Sequence, residues 1–289
     1  MSLKLIVLLP FILLLKLHDY KGCSSTDKPQ TNLPTPAEYD LNHPQIVNLP
    51  TKLNEISGIW YYPKDTSVFA IVDEAGILYK IFMHRNLLIK EWKFDKNRDF
   101  EDIVLHDSTF YILVSNGDLD ILNFTGDSIN QKKIAFEDAS KKLNEFESLY
   151  YDENYKQLIM ICKSCEGDSK KSISAWGYNI DSSVYTPGLF TIDVMSIAAK
   201  AEEEKFKFKP SASAINPITN DLYILSSVNH LLVVVDTNRT AKAVYKLDPR
   251  LYKQPEGITF TSTGDMLISN EQHDEGSANI LIIKRKSSN

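Results

Sequence analysis

Four glutamates stand where a glutamate is poorly tolerated. Glu55 opens EISGIWYYP, Glu101 opens EDIVLHD, Glu147 opens ESLYYDE and Glu256 opens EGITFTS. Each leads into a run of β-branched and aromatic residues, and strands select against acidic side chains because a buried charge is costly unless compensated. A fifth segment, SASAINP, begins at Ser211 behind a proline, as Glu256 also follows one. The five starting positions recur at intervals of 46, 46, 64 and 45 residues. Carboxylates repeated in this way admit two kinds of chemistry. If the strand starts converge, they form an all-oxygen site for a hard cation, and Ca²⁺ is the natural candidate because it takes about six to eight oxygens at ~2.3–2.6 Å. Alternatively, each glutamate accepts backbone N–H bonds from a neighbouring element and fixes packing. Like charges brought together raise one another's pKa, so both arrangements require compensation.

Other candidate chemistry is sparser. Cys162 and Cys165 form CKSC, which could be a disulfide, a redox pair or half of a metal site. Zinc would need two more soft ligands, and there is no second CxxC or paired-histidine motif. The plainer reading makes Cys162 a buried strand residue and Cys165 a turn residue, free or locally bridged. His43, His84, His106, His230 and His273 are scattered singly, which suits structural histidines better than ligands. The chain contains no GxSxG, HExxH, phosphate loop or dinucleotide fingerprint.

A near-constant period of this length signals a repeat architecture, and each unit has the same plan. After the opening strand comes a second β-rich run: SVFAIVDE, TFYILVSN, QLIMICKS, DLYILSS and DMLISNE. Third runs follow at GILYKIFM, DLDILNF, SISAWGYNI, HLLVVVDT and ANILIIKRK. Fourth runs are LLIKEWKF, INQKKIAF, LFTIDV and KAVYKLD. Four short antiparallel strands per unit is the plan of a β-propeller blade. The expected fold is all-β, a five-bladed propeller of four-stranded blades. The last unit has room for three strands only, so the segment YDLNHPQIVNLP ahead of Glu55 is expected to supply the fourth and close the ring. DVMSIAAKAEEEK in the third unit reads as a short helix on the surface.

In such a ring the first strands line a central channel, and each pairs with the second strand of its own blade. Glu55 should then neighbour Asp73, Glu101 should neighbour Ser115, and Glu147 should neighbour Lys163. Ser211 should neighbour Ser226, and Glu256 should neighbour Ser269 and Asn270. The four glutamates would converge on one channel mouth, with Lys163 balancing part of their charge.

The ends of the chain add localisation. MSLKLIVLLPFILLLKLHDYKGCSS has an early lysine and an apolar run, Leu5 to Leu15, too short to span a hydrocarbon core of about 30 Å but suited to a signal peptide. Gly22-Cys23 followed by two serines resembles a bacterial lipoprotein cleavage site, although Tyr20 and Lys21 depart from the usual pattern. The expected organisation is a signal peptide over 1–22, a Pro/Thr/Ser-rich tether over 23–38 and the propeller over 39–289. An acylated Cys23 would anchor the protein in the bacterial cell envelope, on the outer membrane or facing the periplasm. The net charge of −6 leaves no electrostatic footprint for nucleic acid.

The segments LPTKLNEISGI, DFEDIV, EFESLYYD, KPSASAINPITNDLYILSS and QPEGITF, in this order, resemble the SdiA-regulated family of bacterial β-propellers, itself distantly similar to NHL-repeat propellers. The resemblance covers about residues 40 to 285. It implies five blades and a calcium site, with no established biochemical activity. Ser211 departs from the glutamate pattern. Two functions follow as expectations. One is a membrane-tethered, calcium-binding module recognising a small molecule, glycan or protein. The other is a metal-dependent hydrolase of lactonase or esterase type, using a channel-mouth metal as Lewis acid.

Overall fold

Gln45–Asn48 (β1) is the first strand and pairs with one of the last, Asn279–Ile283 (β20), so the two ends of the chain meet in one sheet. The computed structural model describes residues 32–83, 87–137, 143–202, 206–273 and 276–286. The signal segment 1–22, Cys23, the tether up to residue 31 and His84 lie outside the described residues.

Five four-stranded antiparallel sheets make up the described chain. The first blade is Ile56–Tyr62 (β2), Ser67–Val72 (β3), Ala75–Phe82 (β4) and Leu88–Lys93 (β5). The second is Phe100–His106 (β6), Thr109–Val114 (β7), Leu119–Thr125 (β8) and Ser128–Ile134 (β9). The third comprises Glu145–Asp152 (β10), Gln157–Ser164 (β11), Ser172–Asn179 (β12) and Val184–Asp193 (β13). The fourth is Ala212–Ile215 (β14), Leu222–Ser226 (β15), Leu231–Val235 (β16) and Ala241–Lys246 (β17). The fifth is Pro255–Phe260 (β18), Met266–Asn270 (β19) and β20, completed by β1. The innermost strands touch in cyclic order: β2 meets β6, β6 meets β10, β10 meets β14, β14 meets β18, and β18 returns to β2. This is the five-bladed propeller with N-terminal closure that the repeat pattern predicts.

The central strands bury both faces, so they read as continuous apolar runs such as SVFAIV and LLVVV. Apolar side chains between neighbouring blades form five clusters, one for each seam. Phe69 and Phe110, for example, meet edge-on across the first seam with ring centroids 4.6 Å apart. The segment Val194–Ala201 (α1) belongs to these seams. Asp193 caps it by accepting from the Met195 and Ser196 N–H groups, and it buries Val194, Ile197, Ala198 and Ala201 between the third and fourth blades. The helix therefore fills core space rather than decorating the surface.

Polar stitches near the axis fix how the blades abut. Fully buried Asp102 accepts the N–H of Ile103 at 2.8 Å and that of Leu149 at 2.7 Å, tying the second blade to the third. Ser148 and Ser213 share a hydrogen bond across the next seam. Ser211 donates to the Pro255 carbonyl at 2.7 Å, and Ser269 donates to the Ser57 carbonyl at 2.9 Å. The strands come so close that a Cβ on Gly58 would sit 2.5 Å from Asp102 Cα, which is why that position has no side chain.

Candidate functional site

The innermost strands answer why glutamates survive at their starts. In β6 the pairing runs from Phe100 opposite Val114 to Asp102 opposite Leu113, which leaves Glu101 as an extra residue. Glu147 is skipped in the same way between Phe146 and Ser148, and Glu256 between Pro255 and Gly257. A β-bulge leaves its extra residue out of the ladder and re-aims the side chain. Here it turns three carboxylates into a polar cavity of about 230 Å³ at one mouth of the channel. The cavity is lined by Ser57, Asp73, Asp99, Glu101, Glu145, Glu147, Lys163, Gln254, Glu256 and Glu271. Among the described residues, the packing role that glutamates could have filled is carried next door by Asp102.

Register decides which expected residues arrive. In the first blade the irregularity falls between Ile56 and Ile59, so Ser57 takes the bulge position and Glu55 lies two residues outside it, exposed. Glu55 still reaches the rim, hydrogen-bonding to Glu271, and its carbonyl accepts the Asp73 N–H at 3.0 Å. Ser115 pairs by its N–H with the carbonyl of Asp99, not Glu101, and its hydroxyl donates to Asp99 Oδ2. The cavity lining omits Ser211, Ser226 and Asn270. Ser211 is spent on the Pro255 carbonyl, Ser226 donates to Asn229, and Asn270 donates to Leu251 O and Asn279. The residue beside Asn270, Glu271, is the one that bonds Gln254 O and enters the cavity.

Three further cavity residues, Asp99, Glu145 and Gln254, carry a signal readable in the sequence. Asp99-Phe100-Glu101, Glu145-Phe146-Glu147 and Gln254-Pro255-Glu256 share one pattern, two polar residues around a buried one. Alternation in an extended chain puts both polar members on the same side.

Crowding and burial perturb five of these carboxyls, Asp73, Asp99, Glu101, Glu256 and Glu271. Burial, then the charges of Asp99 and Asp73, raises Glu101 to about 9, while Lys163 opposes the shift. Burial and a hydrogen bond to Glu55 take Glu271 to about 9. Asp73 rises to about 7 through burial and its hydrogen bond with Asp99, and Glu256 to about 7 through burial, against Lys163 and hydrogen bonds from Ser227 and Gln254. Burial also raises Asp99, but hydrogen bonds from Asp73, Ser115 and Glu101 outweigh it and hold Asp99 below its ordinary value. The Asp73 Oδ1 atom is buried without a hydrogen-bond partner among the described residues.

Among the described residues, Lys163 is the one cation in the cavity lining. It donates to Glu147 and lies 3.3 Å from Glu145 Oε1. It is held inside a four-residue loop closed by a Cys162–Cys165 disulfide, so the CKSC motif is locally bridged. The two sulfurs and Asp168 bring ligand atoms within 4.8 Å of one another, but bonded sulfurs are not thiolate ligands. The four described histidines are not in the lining: His43 lies beside Asp40, His106 stacks on Tyr151 at 3.7 Å, His230 lies near Lys253 O, and His273 follows Gln272 outside it.

Five four-stranded blades around a channel define the class as a β-propeller with a carboxyl-lined mouth. The family model described as SdiA-regulated matches residues 37–273, and the chain belongs to that family. No curated protein sequence matches it. Among solved structures it is similar to a glutaminyl cyclase from Myxococcus xanthus, at 10% identity and a TM-score of 0.54, covering 84% of this chain and 97% of that one. It is also similar to a luciferin-regenerating enzyme, at 9% identity and a TM-score of 0.53, covering 84% and 95%. A third is regucalcin from Agrobacterium tumefaciens, a calcium-binding protein, at 11% identity and a TM-score of 0.52, covering 87% and 95%. These likenesses establish the shared fold.

Proposed function

We propose that the acidic mouth binds Ca²⁺ and that the propeller is a calcium-stabilised binding module held at a bacterial membrane by an acylated Cys23. The observation that carries the cation is charge. Seven carboxyl groups and one lysine line a cavity of about 230 Å³, and the Asp73 Oδ1 atom has no partner there. The donor set fits a hard ion, because every carboxylate, amide and hydroxyl in the lining offers oxygen and no thiolate or imidazole is present. Glu101, Glu147, Glu256, Asp73 and Asp99 would hold the ion, with Lys163 neutralising Glu147 and Glu145. Among the described residues no three of these carboxylates yet bring oxygens within 4.8 Å of one another, so binding must draw them inward. The calcium-binding regucalcin neighbour is consistent with this reading.

A ligand that binds only the folded state stabilises it by about 2.7 kcal/mol at a free concentration of about one hundred times its Kd. Chelation should lower the melting temperature of the purified propeller. Ca²⁺ should restore it better than Mg²⁺, which demands tight octahedral geometry. Glu101→Gln should weaken the response and leave the blades folded by circular dichroism. Melting that ignores chelator and calcium would overturn the proposal. The anchor has its own test: mass spectrometry of the membrane fraction should find lipidated Cys23, and Cys23→Ala should leave the protein unprocessed or soluble, whereas an unmodified mature N-terminus elsewhere would refute it.

A further inference from the structure

The opposite mouth has different chemistry. The inner strands that start at the carboxylates run on through Ile59–Tyr62, Ile103–Leu105, Leu149–Tyr151 and Ile258–Phe260, and these later positions enclose a cavity of about 810 Å³. That volume lies in the range of about 300–1,000 Å³ in which small-molecule sites bury most of their ligand. The cavity extends outward as a cleft between the first and second blades, walled by Trp60, Tyr62, Trp92, Phe110 and Phe124. Trp60, Tyr62, Trp92 and Phe124 are only partly buried, so ring faces remain open to an occupant.

The rim of this cleft is basic in a chain whose net charge is −6. Lys80 on β4 and Lys90 on β5 are directly opposite each other in the ladder. Facing like charges in a sheet are unfavourable. Lys64 joins them, since its Nζ and that of Lys80 lie 5.9 Å and 4.6 Å from the centroid of the Tyr62 ring. Lys80 is further held near the Phe69 and Phe82 rings, each at 5.1 Å, and pairs with Asp65 at 2.5 Å. Two acids belong to the lining itself. Asp102 is wholly buried, with its oxygens taken by two backbone N–H groups, and Asp107, its side chain 91% exposed, lies 3.4 Å from His106 Nε2.

We propose that this cavity binds an organic anion, an aromatic or extended apolar body carrying a carboxylate or sulfonate. The body lies against Trp60 and Trp92, and the anionic group meets Lys64 and Lys90 beside the Asp65-paired Lys80, offsetting the facing of Lys80 and Lys90 in the ladder. The inference rests on the binding-module part of the proposed function and is independent of the cation at the acidic mouth.

Titration with anilinonaphthalene sulfonate, an aromatic anion, and with the neutral phenylnaphthylamine separates charge from apolar contact. The wild-type protein should bind one equivalent of the sulfonate saturably and more tightly than the neutral probe. The double variant Lys64→Gln/Lys90→Gln replaces two exposed side chains. It should weaken the sulfonate by about tenfold while leaving the neutral probe within about twofold. Trp60→Ala should weaken both probes. Calcium titration of the same samples reports the acidic mouth separately, so failure of one site is distinguishable from failure of the other. Equal affinity for the two probes, an unchanged sulfonate affinity in the double variant, or no saturable binding in protein with a native melting curve would each overturn the proposal.

Discussion

Arg239→Met is expected to destabilise the propeller by about 3–5 kcal/mol, the range found when one partner of a buried ion pair is removed. Arg239 sits in the turn between β16 and β17 and donates to Asp152, the last residue of β10, across the seam between the third and fourth blades. Asp152 has no exposed surface, and its other oxygen accepts the Asn154 N–H at 2.9 Å. Methionine keeps the apolar stem that lies over Phe190 and Tyr155, where the guanidinium now sits 4.6 Å and 5.5 Å from the ring centroids. The backbone there has φ of +65°, which strains methionine no differently from arginine. The loss therefore isolates the stranded carboxylate. Urea unfolding should show a lower midpoint at unchanged slope, and Asp152→Asn on the same background should recover part of the deficit. A loss below about 1 kcal/mol would show that the pair is wetted rather than buried.

The second large effect is a pH dependence that calcium should abolish. In the chelated protein, Glu101 and Glu271 hold protons up to about 9, and Asp73 and Glu256 up to about 7. In the unfolded chain carboxyls release their protons near their ordinary value of about 4. Between these limits the folded state binds more protons than the unfolded one, so stability falls as pH rises. Melting temperature in chelator should thus decline steadily from about pH 5 to about pH 9. With saturating Ca²⁺ the cation takes the place of the protons, and the decline should flatten. Calcium affinity should accordingly rise over the same interval. Glu101→Gln, which mimics the protonated acid, should flatten the chelated curve without any calcium. A chelated protein equally stable at both ends of the interval would refute this account of the mouth.

Much of the architecture was legible because it depends on period and composition. Five apolar openings at near-constant spacing, followed by β-rich runs separated by turn residues, are enough for blade number and strand count. Closure by the first strand was legible too, because the last unit was one strand short. The site was legible only as far as register allowed. Glu101, Glu147 and Glu256 align as bulge residues, but EISGI and EGITF look alike while differing in phase by two, so Ser57 occupies the place read for Glu55. A slip of one exchanges Asn270 for Glu271, because neighbouring residues in a strand face opposite sides. Ser211 has the chemistry of a mouth residue but turns into the seam, toward the Pro255 carbonyl. The basic cleft was not legible at all. Lys64, Lys80 and Lys90 come from a turn and two outer strands, and only the sheet brings them together.

The union of β1 with β20 also governs how the molecule comes to exist. Gln45 is aligned with Ile282, so the ladder joins two residues 237 positions apart in the chain (282 − 45). During synthesis at ~5–20 residues per second, the first strand must wait roughly 10–50 s for its partner. Throughout that interval the nascent chain carries an unclaimed strand at its leading end and, at the last, a sheet with an open edge. The seam that shuts the ring is thus the latest to form and has the largest loop to close, which makes completion slow relative to the growth of individual blades. The same latch must open before the blades can peel apart in sequence. Persistence of the assembled protein is then set by the rate at which one four-residue strand lets go.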